Sequence, residues 1–134
     1  MTVVDASAVV RLLQNRHGDD KLRERFRQDR FMHAPALIDA EVTSAIRGLL
    51  LTSKPAIKIS TTRAEEMLAD FADMRIVRYP MQPHQSRVLA LRDNFTAYDA
   101  FHVALSEALE MPLLTDDRKY DKAPSHTADI EECP

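Results

Sequence analysis

Five acidic residues stand where the chain's periodicity changes. Asp5 closes the apolar run TVVD, Asp116 and Asp117 close PLLT, Asp99 lies three residues after Thr96 in the first turn of a helical pattern, and Glu41 falls within PALIDAEVTSAIR. Glu41 is one helical turn after Ile38 and one before Ala45, at the margin of an apolar stripe rather than on the opposite face. Carboxylates gathered in a low-dielectric cleft repel one another, so they persist where a cation or a proton resides. No Lys or Arg is obvious among these acids in the sequence, which leaves a bound ion as the expected counter-charge. A donor set made of carboxylates suits Mg²⁺ or Mn²⁺, whereas Zn²⁺ calls for Cys and His groupings absent here. In phosphodiester hydrolysis such ions activate water, orient the phosphate and stabilise the leaving oxygen.

That chemistry needs elements that bring distant segments to one place. Runs of strand length alternate with helical periods, without an internal repeat, which predicts an α/β class. The expected strands are 2–5, a second within RFMHAP, 75–79, 112–115 and roughly 127–133. The expected helices cover 6–13, about 19–28, one from Pro35 in its first turn to about 51, one opened by a Thr62/Glu65 capping box, 84–92, and one from Thr96 to about 110. Ile38, Val42, Ala45, Ile46 and Leu49 form the stripe of the third helix. Since each strand leads into a helical crossover, a mostly parallel sheet covered on both faces is the economical solution. Open parallel sheets bind ligands beyond the carboxyl ends of their strands, where Asp5, Asp116 and Asp117 are expected.

At 134 residues, with 45% hydrophobic and 29% charged residues, the chain reads as a single domain spanning 1–134. No apolar run is long enough to cross a bilayer, and MTVVDASAVV lacks the basic segment of a secretory signal. One cysteine, Cys133, closes no internal disulfide, and a cytoplasmic location is expected. A net charge of −3 excludes a broad basic coat for nucleic acid, so any polyanion contact must be local. The densest basic stretch is 11–30, where Arg23, Arg27 and Arg30 share a helical face; taken alone it reads as a solvated face, and it only supports a local polyanion contact.

VVDASAVV, PALIDAEVTSAIR, FTAYDAFHVALSEAL and LLTDDRKY resemble, in order and spacing, the successive motifs of PIN-domain ribonuclease toxins of the VapC type. The resemblance covers nearly the whole chain. Carried over residue by residue, it implies an acidic catalytic and metal site of Asp5, Glu41, Asp99 and Asp117, with Ser7 and Thr115 as neighbouring hydroxyls. It further implies a three-layer α/β/α fold with a five-stranded sheet in the order 3-2-1-4-5, metal-dependent endonucleolytic RNA cleavage with Mg²⁺ (or Mn²⁺), homodimerisation, and neutralisation by a small VapB-like antitoxin. Two departures stand out. Asp116 doubles the acid of the family's Thr-x-Asp and is a possible further ligand, and Glu110-Met111 replaces a turn where relatives often carry glycine.

Each acid has a second reading as structure. Asp5 and Asp117 suit helix caps after strands, and Thr96-x-x-Asp99 is a capping-box pattern. His102, near Asp99, lacks an evident orienting partner in the sequence and is weak as a general base. Leu49 to Leu51 extend around their helix, facing either the core or a partner. A response-regulator receiver fails because RIVRYP offers no phosphorylatable Asp after the third strand, and GxGxxG, GKS/T and GxSxG motifs are absent. A catalytically silent PIN-like module that binds RNA or an antitoxin is the remaining alternative; its acids should be degraded, and here they are intact.

Overall fold

Val3 and Val4 are adjacent, β-branched and fully buried, and they face opposite sides of a sheet as the two-residue strand period demands. The computed structural model describes residues 1–122 and 126–134. Its strands are β1 (Thr2–Val4), β2 (Met32–Pro35), β3 (Ile76–Tyr79), β4 (Leu113–Thr115) and β5 (Ile130–Glu132). All pair in parallel in the order β3-β2-β1-β4-β5. The helices are α1 (Ala6–Gln14), α2 (Asp20–Gln28), α3 (Ile38–Leu51), α4 (Thr61–Asp73), α5 (Gln85–Ala90) and α6 (Ala97–Leu109). The α/β architecture and strand order therefore match the expectation.

Two apolar clusters make the layers. Val4 and Leu114 pack with Ala8, Val9 and Leu13 of α1, Ile38, Val42 and Ile46 of α3, and Met67 and Phe71 of α4. Val3 and Leu113 pack on the other face with Val88 of α5, Ala100, Val103 and Ala104 of α6, and Tyr120. Both faces of the central strands are thus dry, which explains their unbroken apolar runs. Among the described residues no helix is long and apolar enough to cross a membrane.

Several boundaries differ from expectation for local reasons. Pro35 ends β2 instead of starting a helix: it pairs with Tyr79, and the next backbone N–H, of Ala36, donates to Tyr79 O at 2.8 Å. A proline without an N–H is tolerated at such a strand end. The cap of α4 is Ser60, whose hydroxyl accepts the Arg63 N–H at 3.1 Å, two residues before the expected Thr62. A 3-10 turn, Gln82–His84, precedes the short α5, and β5 occupies only 130–132 of the expected 127–133. Ala45 is exposed rather than part of the core stripe, and Leu51 is exposed while Leu49 and Leu50 pack at the core's edge.

Glu110 solves the missing-glycine turn by adopting the left-handed conformation itself, at φ 53°. Its N–H and that of Met111 return to carbonyls of the last turn of α6, and the Ser106 hydroxyl donates to Met111 O at 2.5 Å.

Candidate functional site

The chain leaves β1 toward β2 and β3 on one side, and β4 and β5 lie on the other, so the sheet's switch point falls between β1 and β4. Asp5 follows β1, and Thr115 to Asp117 end and follow β4. Asp5 is 4% exposed and caps α1, its Oδ1 accepting from Ala8 N at 3.1 Å. The Ser7 hydroxyl donates to the same oxygen at 2.7 Å, and the Thr115 hydroxyl donates to Oδ2 at 2.5 Å. These hydroxyls in turn accept the backbone N–H groups of Asp116 and Asp117 at 2.9 and 3.0 Å. Ser7 and Thr115 therefore lock the loop after β4 onto the end of β1.

Asp99 comes from the first turn of α6, where its N–H donates to the Thr96 hydroxyl at 3.3 Å, and its side chain is 17% exposed. Glu41 comes from α3 with a side chain 23% exposed. Asp99 and Glu41 line a cleft of about 670 Å³ with Ala6, Ala45, Tyr98 and Lys119. Tyr120 is almost fully buried beside Asp99. Burial, followed by the charges of Asp5, Asp99, Asp117 and Glu41, pushes its hydroxyl above the ordinary value, and that hydroxyl points to Asp99 Oδ1 at 3.5 Å.

The acids are not without a cation, contrary to expectation. The Lys119 ammonium bridges Asp99 Oδ2 and Asp117 Oδ2 at 2.9 Å each, because the Lys119 N–H donates to Asp117 Oδ1 at 3.0 Å and turns the chain back over the acids. Burial works against that ammonium, but its bonds to the two carboxylates outweigh the cost and raise its pKa. Burial likewise works to raise Asp117, and the Lys119 N–H and ammonium overcome it, holding the carboxyl below its usual range. Asp116 is engaged elsewhere, by Arg11 at 2.8 Å, while the same guanidinium reaches Asp19 at 2.9 Å.

His102 has the partner that the sequence did not reveal. Its Nε2 lies 2.5 Å from Glu41 Oε1, and Nδ1 is buried with no hydrogen-bond partner. With 1% exposure the imidazole cannot reach a substrate; it fixes Glu41. The spacing of three residues from Asp99 on one helix was the available signal. Lys119 and Tyr120 were missed, although both lie within three residues of Asp117 in LLTDDRKY.

Among the described residues, no three His, Cys, Asp or Glu side chains stand close enough together to hold a metal ion. Lys119 separates Asp99 from Asp117, His102 draws Glu41, and hydroxyls hold Asp5. The donors still suit a hard cation: they are carboxylate oxygens, and a cation already sits between two of them. The basic patch lies apart. Arg23, Arg27 and Arg30, joined by Arg75, line a cleft of about 320 Å³ beside Met32, at the opposite end of the sheet from the acids. Burial pushes the Cys133 thiol up to about 12, which makes it a poor nucleophile.

A family model described as PIN domain matches residues 2–125. Ribonuclease VapC12 of Mycobacterium tuberculosis is 34% identical over 131 residues, covering 98% of each chain. Ribonuclease VapC1 of the same organism is 35% identical over 130 residues, covering 96% of this chain and 95% of its own. The crystal structure of VapBC2 from Rickettsia felis, bound to a DNA fragment from their promoter, superimposes with a TM-score of 0.71 at 12% identity, over 99% of this chain and 98% of that one. A toxin-antitoxin complex from Klebsiella pneumoniae gives 0.65 at 12% identity, over 98% and 96%. At those identities the structural likeness speaks for the fold.

Proposed function

The chain belongs to the PIN-domain family, whose ribonucleases depend on metal ions, and on that premise we propose that it is an endoribonuclease acting as the toxin of a bacterial type II toxin-antitoxin pair. The observation that supports this reading is the carboxylate network at the switch point of the sheet: the Thr115 hydroxyl ties Asp5 to the Asp117 N–H, Lys119 bridges Asp117 to Asp99, and Asp99 shares its cleft with Glu41. The single domain 1–134 would carry the activity in the cytoplasm.

The four acids would hold Mg²⁺, with Mn²⁺ as a substitute. When bound, such an ion supplies an acidified water and neutralises charge on the phosphate. The protein's own part is to position. Ser7, Thr115 and the Ala8 N–H fix Asp5, His102 fixes Glu41, and the start of α6 presents Asp99 to the cleft. Tyr98, 63% exposed on the same cleft, gives an unpaired base a face to stack on, which favours looped or single-stranded RNA.

A VapB-like antitoxin would lay an apolar helix along α3 and α4, where Leu51 and Leu68, with Ile57 of the connection between them, remain exposed. Its basic tail would meet the acidic cleft by charge complementarity. A homodimer is part of the same reading. The test is cleavage of structured RNA by the purified protein in Mg²⁺, in Mn²⁺ and in excess EDTA, beside Asp5→Asn. Activity should vanish on chelation and fall by orders of magnitude in the folded variant. Undiminished cleavage in EDTA refutes the metal, and wild-type cleavage by Asp5→Asn returns Asp5 to a capping role.

A further inference from the structure

We propose that Lys119 is a substrate-binding residue that alternates between two anions: it holds Asp99 and Asp117 while no metal ion is bound, and it passes to an RNA phosphate once an ion takes its place. This rests on the metal-dependent reading of the cleft. Lys119 Nζ lies 2.9 Å from one oxygen of each carboxylate and 5.7 Å from the centre of the Tyr120 ring. An ammonium and a divalent ion cannot both occupy the space between those oxygens. Two like charges about 4 Å apart repel strongly at a partly buried site, and a divalent ion doubles the repulsion.

The side chain is built to leave. It is 46% exposed, and its flexible four-carbon stem rises from a backbone held in place by the Lys119 N–H bond to Asp117. Lys119 also lines the 670 Å³ cleft with Thr96, Tyr98 and Asp99, so a displaced ammonium stays within reach of a phosphate entering there. Such a cation is needed. Glu41 and Asp99 line the cleft and Asp117 reaches its lysine, a local negative charge that repels RNA, and among the side chains lining the cleft Lys119 carries the positive charge. Metal and RNA would therefore bind cooperatively, because the ion frees the lysine that the phosphate uses.

Titration of Mn²⁺ into wild type, Lys119→Met and Lys119→Arg by calorimetry tests the first half. Anisotropy of a 2′-O-methylated, uncleavable RNA oligonucleotide in saturating Mn²⁺, over a range of salt, tests the second. Lys119→Met should bind Mn²⁺ more tightly by about three- to tenfold, since it removes a competing ion pair. It should bind the RNA less tightly, with the slope of log K against log salt shallower by about 0.7, the loss of one single-strand phosphate contact. Lys119→Arg, which keeps the charge, should keep the wild-type slope. Equal or weaker Mn²⁺ binding by Lys119→Met overturns the exchange, as does an unchanged RNA affinity and slope. A wild type that binds no Mn²⁺ at all removes the metal-dependent reading itself, and this proposal with it.

Discussion

Replacing Asp99 by Asn keeps the side chain's shape and changes its charge, so it separates a metal ligand from a helix cap. The backbone half of the cap survives, because it is the Asp99 N–H that donates to Thr96. Two favourable contributions are lost in the metal-free protein. One is the contact with Lys119, worth about 0.2–1 kcal/mol for a lysine that is nearly half exposed. The other is the charge at the first turn of α6, worth about 0.3–1 kcal/mol. Relief of repulsion from Asp117, Glu41 and Asp5, the acids that act on Tyr120 together with Asp99, offsets part of that loss. The metal-free variant should therefore melt within about 1 kcal/mol of wild type, about 3–5 °C for a chain of this size. Metal makes the larger difference. At a hundred times its dissociation constant an ion stabilises the wild type by about 2.7 kcal/mol, close to a 10 °C rise. Asp99→Asn should lose most of that rise together with cleavage. Thermal melts of both proteins in EDTA and in Mg²⁺, followed by RNA cleavage at the same concentrations, decide it. A variant that keeps the full metal-dependent rise and wild-type cleavage would refute the assignment of Asp99 to the metal.

Glu107 is held at about 2 by its hydrogen bonds to Arg87 and Thr127, below its ordinary 4.5. A carboxyl depressed in the folded state contributes stability that is complete above its unfolded value and fades as pH falls from about 4.5 toward 2. The shift alone corresponds to about 3 kcal/mol, and solvent screening at the 40% exposed Arg87 reduces it to about 1–2 kcal/mol. Urea melts across that window should show the slope in wild type and a flatter profile in Glu107→Gln; parallel profiles would mean that the pair contributes nothing. Glu110→Gly should raise stability by about 0.5–1 kcal/mol, since left-handed backbone costs a non-glycine residue about 1–2 kcal/mol and glycine's entropy returns only part of it. A lower melting temperature for that variant would show that the turn is not strained.

The strands and the acidic positions were legible because they depend on short-range pattern: Val3 and Val4 must be buried between layers, and Asp5 and Asp117 follow the strands that flank the switch point. What was illegible depends on meetings the chain does not announce. His102 and Glu41 are 61 residues apart, and the bridge of Lys119 to Asp99 needs both the turn after β4 and the placement of α6. The capping and catalytic readings of the acids, set against each other in the sequence, prove compatible in geometry. Asp5 spends both lone-pair sites of Oδ1 on the Ala8 N–H and the Ser7 hydroxyl and one site of Oδ2 on Thr115, so a carboxylate with about four such sites keeps one for a cation. Asp99 donates its backbone N–H to the Thr96 cap, while its carboxylate, which also accepts the Thr96 hydroxyl at 3.1 Å, lines the cleft and is used by Lys119. In a parallel sheet the strand's carboxyl end is also where the next helix begins, so a residue that caps the helix is placed, by the same turn, at the edge where ligands bind.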